Sequence, residues 1–145
     1  GMSLDALHQA IYGERKVSQG TLKTEMSQLR DTLTGLLGSR PYRLLMPIDG
    51  DFLRVEQSLN AGYLEAALKL YTGIFFSKTE SPFLCTWRTC LEARLSQAIY
   101  HSDQVDLLLM HLSNCPDASD AIERLIELMP HNLSIHQHLE VLSNR

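Results

Sequence analysis

Histidines are the side chains of this 145-residue chain that most directly suggest metal binding. Three of the six, His131, His136 and His138, lie close together near the carboxy terminus. Spacings of five and two residues cannot place all three imidazoles on one helical face, as a tetrahedral metal site would require. We therefore interpret the histidines as solvated side chains near helix ends and predict no metal site.

Three cysteines offer thiol chemistry, but their spacing does not favour it. Cys85, Cys90 and Cys115 form an odd set without Cys-x-x-Cys spacing, so a disulfide framework or a zinc site is not indicated. A nucleophilic cysteine would need a histidine brought next to it by the fold, which spacing alone does not reveal. We interpret the cysteines as small buried hydrophobic residues in a reducing compartment, and we expect a cytoplasmic protein.

Paired carboxylates could support acid–base catalysis, but the two pairs in this chain have a simpler explanation. Asp49 with Asp51, and Asp103 with Asp106, each stand where a helix is expected to begin. A carboxylate there satisfies free backbone N–H groups and the helix dipole, so capping is the expected role. The sequence also contains no glycine-rich phosphate loop and no Gly-x-Ser-x-Gly elbow. We predict that the chain is not an enzyme and uses no cofactor.

The charge is unevenly distributed along a chain of ordinary composition. Residues 1–46 carry six basic and four acidic side chains, whereas residues 47–145 carry seven basic and thirteen acidic ones. A mildly basic end on an acidic body is typical of a protein whose end contacts a polyanion. The longest apolar run, Leu107 to Met110, is far too short to cross a bilayer, so we expect no membrane partner.

The amino-terminal third predicts two helices and an extended segment. Ser3 can cap a short helix that Gly13 closes, and Ser18 can begin a long helix over residues 18–37 that Gly38 ends. The apolar residues of the long helix recur at steps of three and four: Leu22, Met26, Leu29, Leu33 and Leu36. We expect the first four of them to face inward. Residues 39–46 contain Pro41 and predict an extended segment or one arm of a hairpin.

The remainder, residues 49–145, predicts three consecutive helix pairs that must stack to bury their apolar stripes. Helices are expected from Asp49, over 63–72, from Pro82 to about Tyr100 after a capping Ser81, over 103–113, over 119–129, and after a capping Asn132. The pairs differ in length, so the pattern is a degenerate tetratricopeptide-like array without a strict period. The predicted fold is mainly α, a partial winged helix followed by antiparallel helix pairs.

Residues 3–46 suggest a specific interaction with DNA. A short helix, a turn, a long helix and an arginine-bearing segment match the second half of a winged helix, whose second helix enters the major groove. The outward side of the long helix would then present Lys23, Thr24 and Gln28 to base edges. Arg40 and Arg43 would reach phosphates from the wing. The open alternative is an ordinary surface helix with a solvated polar face.

A second function, of a different class, is a protein–protein adaptor without any nucleic-acid role. The loop at residues 74–80 carries Phe75 and Phe76, and the helix after it carries Trp87. These three aromatic side chains could line a groove that binds a helix or strand of a partner.

Several segments, read together in order, resemble a known family. The segments are Leu7–Gly13, Val17–Lys23, Ser27–Arg30 and Ser39–Leu44. They are similar to the carboxy-terminal part of the response-regulator type of winged helix found in bacterial transcriptional regulators of antibiotic pathways. There the winged helix precedes a helical bacterial transcriptional activation domain, whose first helix pair corresponds to Phe52, Gly62, Ala66–Leu68, Tyr71 and Gly73. The chain resembles even more closely the carboxy-terminal regions of bacterial GAF-domain-containing regulators.

The resemblance implies a recognition helix at 18–37, a wing at 39–46 and two domains, 2–48 and 49–145. It also implies duplex DNA as a partner of the intact protein, and protein contacts or self-association through the helical repeats. One departure is that a complete winged helix has a further helix, and usually strands, before the position of Leu4. We therefore expect the inward faces of Leu4, Leu7 and Leu22 to lack their usual cover.

Overall fold

The structure, a computed structural model, describes residues 1–128 and is mainly helical with a small antiparallel sheet. These residues form α1 Leu4–Tyr12, α2 Gln19–Thr32, β1 Leu37–Ser39, β2 Tyr42–Leu44, α3 Asp51–Asn60, α4 Leu64–Leu70, α5 Pro82–Tyr100, α6 Val105–Asn114 and α7 Ser119–Leu128. None of the helices in this described part is both long and apolar enough to span a bilayer.

The chain divides into two compact units. Unit 1 comprises residues 1–49 and 76–88, and unit 2 comprises residues 50–75 and the described residues from 89 onward. The predicted segments 2–48 and 49–145 differ from this division, because residues 76–88 belong with the amino-terminal part.

Serine side chains begin the first two helices, as predicted. The Oγ of Ser3 accepts a hydrogen bond from the backbone N–H of Ala6 at 3.2 Å, and the Oγ of Ser18 accepts one from Thr21 at 3.1 Å. Gly13 ends α1 with a φ of 57°, a conformation that favours glycine. These boundaries follow from local side-chain chemistry, which explains why the sequence was sufficient to predict them.

The predicted end of α2 at residue 37 is wrong, because the helix stops at Thr32. The backbone N–H of Thr34 bonds the carbonyl of Asp31 at 3.1 Å, and that of Gly35 bonds the carbonyl of Arg30 at 2.9 Å. These two bonds form a Schellman motif with Thr34 in the left-handed region at φ 49°. The chain therefore turns before Leu36, and Leu37 belongs to β1.

The extended segment is a hairpin. Strands β1 and β2 pair antiparallel, with Leu37 opposite Leu44 and Ser39 opposite Tyr42. Pairing thus begins two residues before the predicted wing at 39–46. Met2 adds an isolated bridge to the outer edge of β2, with its N–H and carbonyl bonding Tyr42 at 2.9 and 2.8 Å.

The core of unit 1 lies between α1, α2 and the hairpin. Leu22, Met26 and Leu37 are buried there, and a ring of half-buried apolar residues packs against them: Leu4, Leu7, Ile11, Tyr12, Leu33 and Tyr42. Leu22 is only 1% exposed, so the expectation that it lacks cover was wrong. Leu29 is 42% exposed, which corrects the expectation that it faces inward. Helix α1 is about 13 Å long and α2 about 21 Å, so α1 covers only part of its partner.

Leu36 is also exposed, at 41%, because α2 ends before it.

Residues 76–88 join unit 1 through Ser81. Its Oγ donates to the carbonyl of Ala10 at 2.7 Å and accepts from the N–H of Leu84 at 3.3 Å. The predicted start of α5 at Ser81-Pro82 is therefore confirmed, and the capping serine also binds α1. A Cβ at Gly13 would lie 2.8 Å from the Pro82 Cγ, so this approach as well as the positive φ requires glycine.

Unit 2 is built from packed helices. Helix α3 packs on α4, α6 packs on α7, and α4 also contacts α6. The core is apolar: Val55, Ala67, Leu68, Tyr71, Leu91, Leu95, Ile99, Leu107, Leu108, Leu112, Ala121 and Leu125. The predicted extension of α4 to residue 72 is wrong, since the helix ends at Leu70. The predicted final helix after Asn132 lies outside the described residues.

The predicted capping role of Asp103 was wrong, whereas Asp51 and Asp106 lie in the first turns of their helices, where a carboxylate interacts favourably with the helix dipole as predicted. Helix α3 begins at Asp51 after Gly50, and α6 begins at Val105 after Gln104, both without a side-chain cap. The Asp103 carboxylate instead accepts a hydrogen bond from Arg124 of α7 at 2.5 Å. An ion pair with a neighbouring helix has thus taken the place of the local cap.

Candidate nucleic-acid interface

A basic depression of about 670 Å³ lies in unit 1 between α2 and the hairpin. Its lining comes from the amino-terminal residues, one side of α2 and the hairpin turn: Ser3, Leu4, Lys23, Arg30, Ser39, Arg40, Pro41 and Tyr42. Three of these eight residues are cationic and none is acidic. We call this set of residues the basic depression.

Helix geometry brings Lys23 and Arg30 to the same side. They are seven residues apart, about two turns of an α-helix, so their side chains leave α2 in nearly the same direction. The Arg30 Nε donates to the carbonyl of Leu37 at 3.1 Å, which fixes the half-buried guanidinium beside the first residue of β1. Arg40 also lines the depression, from the turn between the strands.

The cations of the depression have no acidic partners among residues 1–128. Lys23, Arg30 and Arg40 take part in none of the ion pairs of that range. Three carboxylates of unit 1 are bound elsewhere: Asp5 accepts from Gln19, Glu25 from Tyr12, and Glu80 from Arg15. The 2.6 Å hydrogen bond to Glu25 raises the pKa of Tyr12. The lining of the depression therefore carries three positive charges and no negative one, which suits an anion.

The structure separates the five predicted DNA contacts, all of which are exposed. Lys23 and Arg40 line the basic depression. Thr24 and Gln28 lie about 100–140° around α2 from Lys23, on a neighbouring side of the helix. The Thr24 Oγ1 donates to the carbonyl of Gly20 at 3.1 Å.

Arg43 lies on the other face of the hairpin from Tyr42, which packs on the core. Side chains alternate along a strand, and Arg43 is paired with Gly38, which has no side chain.

Arg30 was missed by the sequence analysis. The seven-residue spacing from Lys23 was the available signal, but only the hairpin shows that this side of α2 borders a concave surface.

The three aromatic residues predicted to line one partner groove do not belong to one unit. The rings of Phe76 and Trp87 meet in unit 1 with centroids 6.0 Å apart. Phe75 belongs to unit 2, where its ring packs edge-on against Tyr71 at 5.4 Å. Phe76 is 38% exposed, whereas Phe75 and Trp87 are half-buried.

Within residues 1–128, no three histidine, cysteine, aspartate or glutamate side chains converge as metal ligands would. The carboxy-terminal His131, His136 and His138 lie outside the described residues.

All three cysteines are free thiols. Cys85 and Cys115 are half-buried, but Cys90 is exposed, which corrects the expectation that all three are buried. Cys90 is five residues beyond Cys85 on α5, so it points to a different side of the helix.

Comparisons with known proteins give one relative. The chain is 28% identical over 123 residues to a protein of Rhodococcus erythropolis described as an uncharacterized 47.3 kDa protein in the thcA 5′ region. The match covers 84% of this chain and 28% of that protein, so the chain corresponds to less than a third of the relative's length. No protein-family model matches the chain, and no solved structure matches it.

Proposed function

We propose that this chain is part of a transcriptional regulator whose unit 1 binds duplex DNA as a partial winged helix. Helix α2 acts as the recognition helix, the hairpin acts as the wing, and the helix pairs of unit 2 provide protein contacts. The observation that carries the proposal is the basic depression, where three cations with no acidic partner among residues 1–128 surround one concavity. Backbone phosphates are the anions that such a surface between a helix and a wing would bind.

The side chains divide between two tasks in this proposal. Lys23, Arg30 and Arg40 neutralise phosphates at the depression and so set the register of the protein on the duplex. Thr24 and Gln28, on the neighbouring exposed side of α2, approach base edges, where a glutamine amide pairs well with adenine. The first three residues thus supply affinity, and the last two supply sequence preference.

Salt dependence of DNA binding tests the proposal. Fluorescence anisotropy of the full chain with a labelled duplex should show an affinity that falls linearly with salt on a log–log plot. Lys23→Ala and Arg40→Ala should each weaken binding to all duplexes and reduce the slope by about 1. Lys69→Ala is the matched control, because Lys69 of unit 2 is paired with Glu65 at 2.6 Å. Absent binding, salt-insensitive binding, or an equal effect of Lys69→Ala would refute the proposal.

A protein–protein adaptor without DNA binding is the second candidate. The contact of the partly exposed Phe76 with Trp87 favours it, since aromatic side chains are enriched at protein interfaces. Under this alternative, a partner captured by the full chain stays bound after nuclease treatment and is lost with Phe76→Ser. Capture that nuclease abolishes would instead indicate that DNA bridges the two proteins.

A further inference from the structure

A second concave site lies in unit 2 and has the opposite charge. It measures about 420 Å³, within the range of small-ligand sites. It forms where the chain leaves α4 at Tyr71 and where α6 ends at Asn114, beside the middle of α5 and the start of α7. We call it the acidic cleft, after Glu92, Asp117 and Asp120, which line it without any lysine or arginine.

The carboxylates of the acidic cleft are held in place by neutral donors. The Asp120 Oδ2 accepts from the Ser96 hydroxyl at 2.7 Å, and its Oδ1 accepts from the Ala121 N–H at 2.9 Å. The Glu92 Oε1 accepts from the Tyr71 hydroxyl at 3.4 Å. Neither carboxylate has a cationic partner among residues 1–128, so two fixed negative charges remain uncompensated beside apolar walls.

His111 provides an independent indication that a ligand completes the cleft. Its side chain is 2% exposed and lines the cleft, yet its Nδ1 has no hydrogen-bond partner in the described part of the chain. Unpaired buried polar atoms are rare in folded proteins and need an explanation. Burial lowers the pKa of His111, so at neutral pH the ring is uncharged and offers one acceptor nitrogen.

The walls of the cleft distinguish an organic cation from a metal ion. Tyr71, Ile74, Leu95 and Pro116 supply aromatic and aliphatic surface that a hydrated metal ion would not contact. Magnesium and calcium need several oxygen ligands in a fixed shell, and no group of three potential ligands converges in the described residues. A cation with several N–H donors on an apolar stem matches both the acceptors and the walls.

We infer that the acidic cleft binds a small organic cation, a guanidinium or primary ammonium group carried on an aliphatic stem. Glu92 and Asp120 accept its N–H donors, and Tyr71 and Leu95 contact the stem. His111 offers a neutral acceptor in place of a repelling charge. Such a group occurs on a free amine and on an arginine side chain of a partner peptide, and the two sources share this chemistry.

Calorimetric titration of the full chain with three probes tests the inference. Agmatine represents a free guanidinium compound, Nα-acetyl-arginine N-methylamide represents an arginine within a peptide, and the matching citrulline amide is its uncharged counterpart. We expect a dissociation constant of about 1 mM or below for at least one cationic probe. The citrulline amide should bind at least about tenfold more weakly, since hydrogen bonds between charged groups are the stronger kind.

The two cationic probes identify the source of the ligand. Tighter binding of agmatine supports a free amine, tighter binding of the arginine amide supports a peptide side chain, and equal binding supports recognition of the cationic group alone. If neither cationic probe binds at a concentration about ten times the expected dissociation constant, the inference is overturned. Displacement of a bound probe by millimolar Mg²⁺ or Ca²⁺ would also overturn it, in favour of a metal site.

Neutral variants locate the binding in the acidic cleft. Asp120→Asn and Glu92→Gln should each weaken the cationic probe about tenfold, since each removes one charged acceptor. Glu123→Gln removes the same charge from an exposed position of α7 outside the cleft and should leave the affinity unchanged. Two variants on different helices keep the test decisive if one fails to fold. Equal affinities in all variants would refute the assignment.

The cation binding inferred for the acidic cleft does not depend on the proposed DNA binding. Lys23→Ala lies in unit 1 and should not change the affinity for the cationic probes.

Discussion

Folding raises the pKa of Tyr71 to about 12, first because the side chain is buried and second because the Glu92 carboxylate opposes another negative charge. The ordinary value is 10.0, so between pH 10 and about 12 the folded chain holds a proton that the unfolded chain loses. The unfolded state binds fewer protons there, and the free energy of unfolding falls as pH rises. The stabilisation that comes from the raised pKa of Tyr71 is fully present below pH 10.

Replacing Tyr71 with phenylalanine should therefore flatten this alkaline loss of stability. Urea unfolding monitored by circular dichroism between pH 9 and about 12 should give a smaller decrease for Tyr71→Phe than for the unaltered chain. Tyr63→Phe is the matched control, because Tyr63 is 68% exposed and should leave the decrease as it is. Identical curves for Tyr71→Phe and the unaltered chain would show that Tyr71 does not cause the alkaline loss of stability.

Individual site residues were predictable only where the local pattern marked them. Lys23 and Arg40 were identified because they lie on an expected polar helix side and on an expected wing. Arg30 was missed, because its role depends on the Leu37 carbonyl and on the hairpin, which are placed by the early end of α2. The acidic cleft was missed entirely, since Tyr71, Glu92 and Asp120 are far apart in sequence and meet only after the helices pack.

The end of α2 depends on an unusual residue in its closing turn. Thr34 adopts φ 49°, where a residue with a Cβ is strained by about 1 kcal/mol and glycine is not. Thr34→Gly should therefore raise the free energy of unfolding, by about 1 kcal/mol at most because glycine also gains freedom in the unfolded chain. Chemical denaturation measures this change directly.

The same substitution two residues earlier is its control. Thr32 is the last residue of α2, and its Oγ1 donates to the carbonyl of Gln28 at 2.9 Å. Thr32→Gly should lower stability, because glycine is unfavourable within a helix. Opposite signs at positions 32 and 34 identify the boundary, whereas equal signs would mean that α2 does not end as described.

Helix starts were predicted correctly where a serine side chain caps the backbone, whereas the cap expected from Asp103 does not form. Ser3, Ser18 and Ser81 act through bonds to residues three positions later, which the sequence alone can indicate. Asp103 binds Arg124 of another helix, a tertiary interaction that local spacing does not reveal. Thr34 ends α2 in a role usually taken by glycine or asparagine, so the expected stop at Gly38 came too late.

Ser81 connects parts of unit 1 that are 71 residues apart in the chain. Ser81→Ala removes the bond to the Ala10 carbonyl and the cap on Leu84, so we expect a loss of about 2 kcal/mol. Hydrogen exchange should accelerate in α1, where no residue is fully buried. Measuring unfolding and exchange together separates this local effect from general destabilisation.

Ser113→Ala provides the comparison for that variant. Ser113 is exposed on α6, and its Oγ donates to the Leu109 carbonyl of the same helix at 2.9 Å. Its replacement should change the free energy of unfolding by no more than about 0.5 kcal/mol. If Ser81→Ala is equally mild and leaves α1 protected, the bond to Ala10 does not stabilise unit 1.

The predominance of helices and the presence of a short hairpin could be predicted from periodicity and turn residues. The return of residues 76–88 to the amino-terminal part could not, because it rests on contacts such as Ser81 with Ala10 and Arg15 with Glu80. No local sequence pattern predicts either contact.

The path of the chain limits how the protein can be dissected. It leaves unit 1 at residue 50, re-enters it at residue 76 and departs again at residue 89, inside the continuous α5. No single truncation can therefore separate either unit from the residues of the other. A fragment ending near residue 48 would keep α1 and α2 but lose residues 76–88, whose Ser81 bonds the Ala10 carbonyl of α1. A proteolytic nick within residues 50–75 would instead divide unit 1 into two polypeptides held together without a covalent link.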